Sequence, residues 1–176
     1  MPPAQQAGVV LEKKSLIAAE QLRPDVVERR RNFRIATRFA DPASLVFLDE
    51  SGVQTNMTRL YGRSPVGERC NDHTPHGHWK MMTVLSAIRT NGVVRDATAV
   101  FDGPMNRDTF VNYTEQWLVP ALRPGDVVVM DNLSSHKAAS VRALIEAAGC
   151  DLWYLPAYSP DLNPIEKLWS KVKSWL

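Results

Sequence analysis

Two short runs in this chain are apolar at every position. Residues 45–48 read Leu-Val-Phe-Leu and residues 127–130 read Val-Val-Val-Met. A strand with one wet face alternates, whereas a strand covered on both faces does not. The two runs therefore predict central strands, each ending at an aspartate, Asp49 and Asp131. Residues 81–88 and 93–101 are β-rich and flank Thr90-Asn91-Gly92. Asn-Gly between two such runs predicts a hairpin with both turn residues at positive φ. Phe110, Tyr113, Trp117 and Leu118 recur at helical spacing, with Pro120 expected to close the segment. Val141, Leu144, Ile145 and Ala148 form a second helical face that Gly149 ends. Residues 152–155 are a further strand candidate, and a proline-punctuated loop, 156–164, leads into a last helix. The order predicts an α/β domain, a central mixed five-stranded sheet with helices on both faces.

Length and composition narrow this reading. The 176 residues fit one domain, or one domain plus an arm. Hydrophobic residues make up 44% and charged residues 23%, ordinary values for a globular chain. A net charge of +2 excludes a polybasic, histone-like protein. The charge is uneven, however. Residues 1–41 hold eight Lys/Arg against five Asp/Glu, and residues 42–176 hold thirteen against fourteen. Residues 1–40 thus read as a leader and basic linker arm, and 41–176 as the main domain. Residues 1–10, with Pro2, Pro3 and two Gln, read as disordered. Residues 11–40 read as partly helical, starting a helix at Pro24-Asp25. Their Lys13, Lys14, Arg29, Arg30, Arg31, Arg34 and Arg38 are either a solvated face or contacts to a DNA backbone. Cys70 and Cys150 form no framework, which favours a reducing cytoplasm. No apolar run is long enough to span a membrane, and no secretory signal is visible.

Three carboxylates stand out by position: Asp49, Asp131 and Glu166, the last at the start of the final helix. Ends of neighbouring central strands lie side by side, so the two aspartates can converge. At ~5 Å and an effective dielectric near 20, each such pair costs roughly 3 kcal/mol. Protons or cations must offset that repulsion, and hard oxygen donors select Mg²⁺ or Mn²⁺. Each residue also has a structural reading. The aspartates suit turns after strands. Asn163-Pro164-Ile165-Glu166 reads as an N-cap, a first-turn proline and a near capping box.

The flanking residues carry a resemblance. They are Leu48-Asp49-Glu50-Ser51-Gly52, Val129-Met130-Asp131-Asn132 with His136, and the run from Tyr158-Ser159-Pro160-Asp161 through Asn163 and Glu166 to Trp169. Asp131 and Glu166 are separated by 34 residues. Tyr61-Gly62-Arg63, Pro65, Gly67-Glu68 and His76-Gly77-His78-Trp79 add to it. Over residues 11–176 the chain resembles the catalytic domain of DDE transposases of the mariner-like superfamily, in particular the bacterial insertion sequence 630 family. The resemblance implies a ribonuclease-H-like fold and cut-and-paste DNA transposition: metal-dependent cleavage and strand transfer, usually into TA. It implies Asp49, Asp131 and Glu166 as catalytic, metal-binding residues for two Mg²⁺ (or Mn²⁺) ions. Its partners would be terminal inverted repeats and target DNA, with a homodimer on DNA and action in the bacterial cytoplasm. Such transposases carry helix-turn-helix domains, and none is found here. Trp175-Leu176 ends in mid-helix by pattern. Both points imply a catalytic fragment truncated at its C-terminus: a reading frame separate from, or frameshift-fused to, its helix-turn-helix half, a truncated gene, or a degenerate copy. An inactive remnant acting only in DNA binding or oligomerisation, and a nuclease of RNA–DNA hybrids, are the competing readings.

Other residues have supporting or DNA-contacting readings. Glu50 is expected to point away from Asp49, because strand neighbours face opposite sides. Asn132 would orient Asp131 or touch a phosphate. His136 would approach the phosphate, move a proton, or be a structural histidine. His73, His76 and His78 cluster but lack a fourth ligand for zinc, so His78 reads as a DNA contact or loop-packing residue. Lys167 and Lys171 share a helix face, either solvated or against DNA. Asn163 is read both as a cap and as a supporting residue of the site. The five tryptophans read mostly as core, with Trp79 alone a candidate for stacking on DNA.

Overall fold

The computed structural model of the chain describes residues 18–58, 61–73, 77–133 and 136–175. The expected leader at 1–10, Lys13, Lys14 and His76 lie outside the described residues. Five strands form one sheet: β1 (Leu45–Gln54), β2 (Met81–Arg89), β3 (Gly92–Asp102), β4 (Val127–Met130) and β5 (Asp151–Tyr154). Their order is β3-β2-β1-β4-β5. β2 runs antiparallel to both β1 and β3, while β4 is parallel to both β1 and β5. The mixed sheet and the central places of β1 and β4 are as their apolar runs predict. All four residues of β4 are buried.

Strand parity divides the core in two. Val46, Leu48, Val128, Met130 and Leu152 pack with Phe110, Tyr113, Leu118, Val141 and Ile145. Those partners come from α2 (Arg107–Tyr113), the wider turn that follows it (Thr114–Leu118), and α4 (Ala139–Ala147). The alternate residues Leu45, Val127, Val129 and Leu155 pack with Phe33, Phe47 and Trp153 on the other side. Phe33 comes from α1 (Pro24–Phe39), which begins at the expected Pro24. α5 (Glu166–Trp175) also lies on this side, where Trp169 meets Asp49. By the same parity Asp49 belongs to the α1–α5 side and Glu50 to the α2–α4 side.

Several local expectations change. Asp49 lies inside β1 and does not follow it, because β2 keeps β1 paired as far as Gln54↔Met81. The hairpin forms, but its two turn residues are Thr90 and Asn91, and Arg89 pairs with Gly92. Gly92 carries the positive φ, +125°, that the Asn-Gly pair was expected to share. Asn106 caps α2 by accepting from the Thr109 N–H at 2.9 Å. The helical path continues through α3 (Val119–Ala121), so Pro120 sits within the final turn and does not close the segment. Trp169 is buried, but Trp175 is 71% exposed. Six residues turn a helix by about 240°, which carries Trp175 off the buried face.

At the far end of the central strands, Arg89 donates to both Asp126 oxygens at 2.6 Å. The two side chains are only 6% and 5% exposed. Burial raises the Asp126 carboxyl, but the N–H donors of Arg89 and Arg123 outweigh it and hold it below the usual carboxylate range. This stabilisation is complete above the unfolded-state value of about 4 and is lost as pH falls through the lower folded-state value. Asp126→Ala leaves a buried guanidinium uncompensated, and should lower the unfolding free energy by about 3–5 kcal/mol in urea denaturation. A loss below about 1 kcal/mol would show that Arg89 recovers its hydration instead.

Candidate active site

The parallel register pairs Phe47 with Val129. Carried two residues further, it sets Asp49 level with Asp131 at one end of the central strands. The first turn of α5 brings Glu166 to the same place. The three carboxylates line one cleft of about 490 Å³ with Asn132, Leu133, Asn163 and the loop 155–160. A neighbouring cleft of about 520 Å³, lined partly by Arg29, Asn32 and Phe33 of α1, shares Asn132 and residues 155–157 with it.

Asp49 is 8% exposed. Burial pushes its carboxyl up to about 6, and the charges of Glu166 and Asp131 push the same way. The backbone N–H of Glu50 and the Trp169 indole act against them. That indole Nε1–H donates to Asp49 Oδ2 at 3.1 Å. Glu166 and Trp169 lie three positions apart, on one face of α5. The face that supplies the third carboxylate therefore also supplies a donor for the first.

Asp131 is less buried, with 31% of its side chain exposed. Its Oδ1 accepts from the Leu133 N–H at 3.2 Å and touches Nδ1 of His136. His136 is 1% exposed and stacks on Phe110 with ring centroids 4.0 Å apart. Its Nε2 lies 3.9 Å from Glu50 Oε2. Burial alone would lower the imidazole value, but Asp131 and Glu50 outweigh it and raise it to about 9. His136 is therefore a cation at neutral pH and backs Asp131 from the α2–α4 side. Glu50 reaches that same side, as strand alternation requires.

Asn163 is 4% exposed and lines the cleft, and its Oδ1 has no hydrogen-bond partner. It does not cap α5, which begins at Glu166. The turn ahead of the helix is closed by backbone bonds, from the N–H of Glu166 to Asn163 O and from Lys167 to Pro164 O. The loop before it is held by α1. Arg30 Nη1 donates to Ser159 Oγ at 2.7 Å and to Asp161 Oδ1 at 2.9 Å, and Nη2 donates to Asp161 Oδ2 at 2.6 Å. Those donors hold the Asp161 carboxyl below its usual range. Trp169, Arg30 and Ser159 were not legible as site residues. Trp169 read as core, and Arg30 was one of eight cations in a basic arm.

Asn132 is exposed and borders both clefts. The remaining candidates do not line the acidic cleft. His73 and His78 sit in the exposed segment before β2, away from the acidic cleft. Lys167 and Lys171 are exposed on α5 and do not line it. Among the described residues, no three His, Cys, Asp or Glu side chains are gathered closely enough to hold a metal ion as they stand. The cleft is instead a set of repelling oxygen donors around a half-enclosed space. Its charge favours a divalent cation and disfavours a bare phosphate.

Comparison with known proteins agrees with this architecture. The sequence model of the family described as DDE superfamily endonuclease matches residues 44–176. The chain is 28% identical over 117 residues to the transposable element Tc1 transposase of Caenorhabditis elegans, covering 63% of this chain and 43% of that protein. It is 27% identical over 168 residues to the Tcb2 transposase of Caenorhabditis briggsae, covering 86% of this chain and 61% of that protein. The chain thus spans roughly half the length of these relatives. Among solved structures, a Mos1 mariner paired-end complex with Mn matches with a TM-score of 0.71 at 22% identity, over 94% of this chain and 53% of that one. A Mos1 paired-end complex with left transposon end matches with a TM-score of 0.70 at 20% identity, over 97% and 54%. These likenesses establish the ribonuclease-H-like fold. The chain belongs to the DDE superfamily endonucleases, with the catalytic-domain architecture of mariner-like transposases.

Proposed function

We propose that this chain cleaves DNA and transfers strands in cut-and-paste transposition, with Asp49, Asp131 and Glu166 as its metal-binding triad. The observation that carries the reading is the convergence of three carboxylates, from two central strands and one helix, on a single cleft. The donor set fits Mg²⁺ or Mn²⁺. It is all hard oxygen, and Asp49 is pushed towards protonation by burial and by its two acidic neighbours. Bound there, two such ions would supply positive charge to the scissile phosphate and to the attacking and leaving oxygens of an in-line displacement. Asp49, Asp131 and Glu166 would be the residues that hold the ions.

The chain's own groups prepare that site. The Trp169 N–H occupies one oxygen of Asp49 and leaves the other for the cleft. The His136 cation orients Asp131 from behind. Glu166 stands in the first turn of α5, at the positive end of the helix dipole. Arg29, Arg31, Arg34 and Arg38 are exposed on α1, and are suited to phosphates because they neutralise charge without reading sequence. The substrates in this reading are transposon terminal inverted repeats and target DNA at TA. A homodimer on DNA, and a helix-turn-helix half from another or a fused reading frame, complete it. Among the described residues, no helix is long and apolar enough to cross a membrane.

Asp131→Asn should reduce cleavage of a labelled transposon-end duplex at least 100-fold, in Mg²⁺ or Mn²⁺, with the metal-free protein still folded and unfolding cooperatively. Cleavage at the wild-type rate would sink the assignment. Mn²⁺ at about 100 times its Kd should stabilise the wild-type chain by about 2.7 kcal/mol for each ion bound. Asp49→Ala should abolish this metal-dependent shift, and an unchanged shift would place the metal elsewhere.

A further inference from the structure

The loop between β5 and α5 is poorly equipped to hold its own shape. Pro156, Pro160 and Pro164 lack N–H donors. Tyr158, between the first two, has φ +57°, left-handed backbone that a tyrosine adopts only when its surroundings enforce it. Its internal backbone bonds run from the N–H of Leu162 to Ser159 O and from Asn163 to Pro160 O. Yet this loop delivers both Glu166 and the unpartnered Asn163 oxygen to the cleft. The restraint comes from α1, about 130 residues earlier in the chain. Arg30 is 8% exposed and donates to Ser159 and to both oxygens of Asp161. Gln21, just before α1, donates from Nε2 to Tyr158 O at 2.6 Å. Arg34 adds a second cation 3.9 Å from Asp161.

We propose that Arg30 is a positioning residue for the acidic cleft. Its fork to Ser159 and Asp161 fixes the strained Tyr158–Asn163 turn, and that turn sets where Glu166 stands. Glu166 is then held from two directions, by the Trp169–Asp49 bond downstream and by the α1 contact upstream. A planar guanidinium is required because three bonds in fixed directions are made at once. A lysine ammonium offers a point charge without the fork. The helix that looks like a basic linker would thus be part of the catalytic scaffold. A shift of α1 would reach the third carboxylate without passing through the sheet. The consequence for metal binding rests on the function proposed above, whereas the consequence for the loop does not.

Two measurements on the full chain separate these. Amide hydrogen exchange should show Leu162 and Asn163 exchanging at least tenfold faster in Arg30→Lys than in wild type, with β1, β2 and β4 unchanged. Wild-type exchange in the loop, or an equal rise throughout the sheet, would overturn the proposal. The second measurement is Mn²⁺ affinity by electron paramagnetic resonance, on Arg30→Met, Asp161→Asn and the double variant. Each single change should weaken Mn²⁺ binding about tenfold, and the double change should weaken it no further, because both remove one device. Unchanged Mn²⁺ affinity in the single variants, or a hundredfold loss in the double, would overturn it. If wild type itself binds no Mn²⁺, the metal reading fails, and the exchange result alone decides whether Arg30 positions the loop.

Discussion

A carboxylate set into a β-sheet needs a proton, a donor or a cation, and the surroundings of Asp49 answer that need. Parity in β1 turns Asp49 towards α5, where the Trp169 indole donates to one of its oxygens. The cost of the remaining charge shows in the raised value, about 6, to which Glu166 and Asp131 both add. Each residue near the cleft can be understood by what it does to that excess. His136 balances Asp131 from the opposite face of the sheet. Glu50 faces away from the cleft and balances His136 in turn. The site is therefore built through the sheet, with the cleft's acids on one face and the His136–Glu50 pair on the other.

Rigidity is distributed unevenly around this site. β1 and β4 are central strands with apolar packing on both faces, so two of the three carboxylates rest on strands held from both sides. Glu166 follows a proline-rich loop and depends on side-chain contacts for its place. The contrast explains why one arginine of the basic arm is buried while its neighbours are not. Arg29 and Arg31 are exposed and available to phosphate, but Arg30 is committed to Ser159 and Asp161. Uniform charge along a sequence thus conceals two physical tasks, one within the protein and one at its surface.

The near-zero net charge has the same character. It averages an acidic cleft, a basic helix and a balanced remainder. Two divalent ions would take the three carboxylates from −3 to +1, so the cleft's affinity for phosphate would follow its metal content. The slight acidity of the main domain is compatible with DNA chemistry for that reason.

The apolar runs at 45–48 and 127–130 determined the central strands, because only strands covered on both faces lack alternation. They also set an aspartate at the end of each run, and the spacing to Glu166 carried the family resemblance. Local chemistry was legible wherever one residue settled it, as with Pro24 at the start of α1 and Gly149 at the end of α4. It was misleading where neighbours intervened. β1 runs past Asp49 because β2 supplies partners, and Asn163 leaves its capping role because the turn closes through backbone bonds. Only the tertiary structure decided that Trp169 serves Asp49, that His136 spans two carboxylates and that Arg30 holds the loop before Glu166. Apart from His136–Asp131, which are neighbours along the chain, those contacts join residues 86 to 131 positions apart. Periodicity and capping rules act within a few turns of chain and hold no information about which distant side chains the fold brings together.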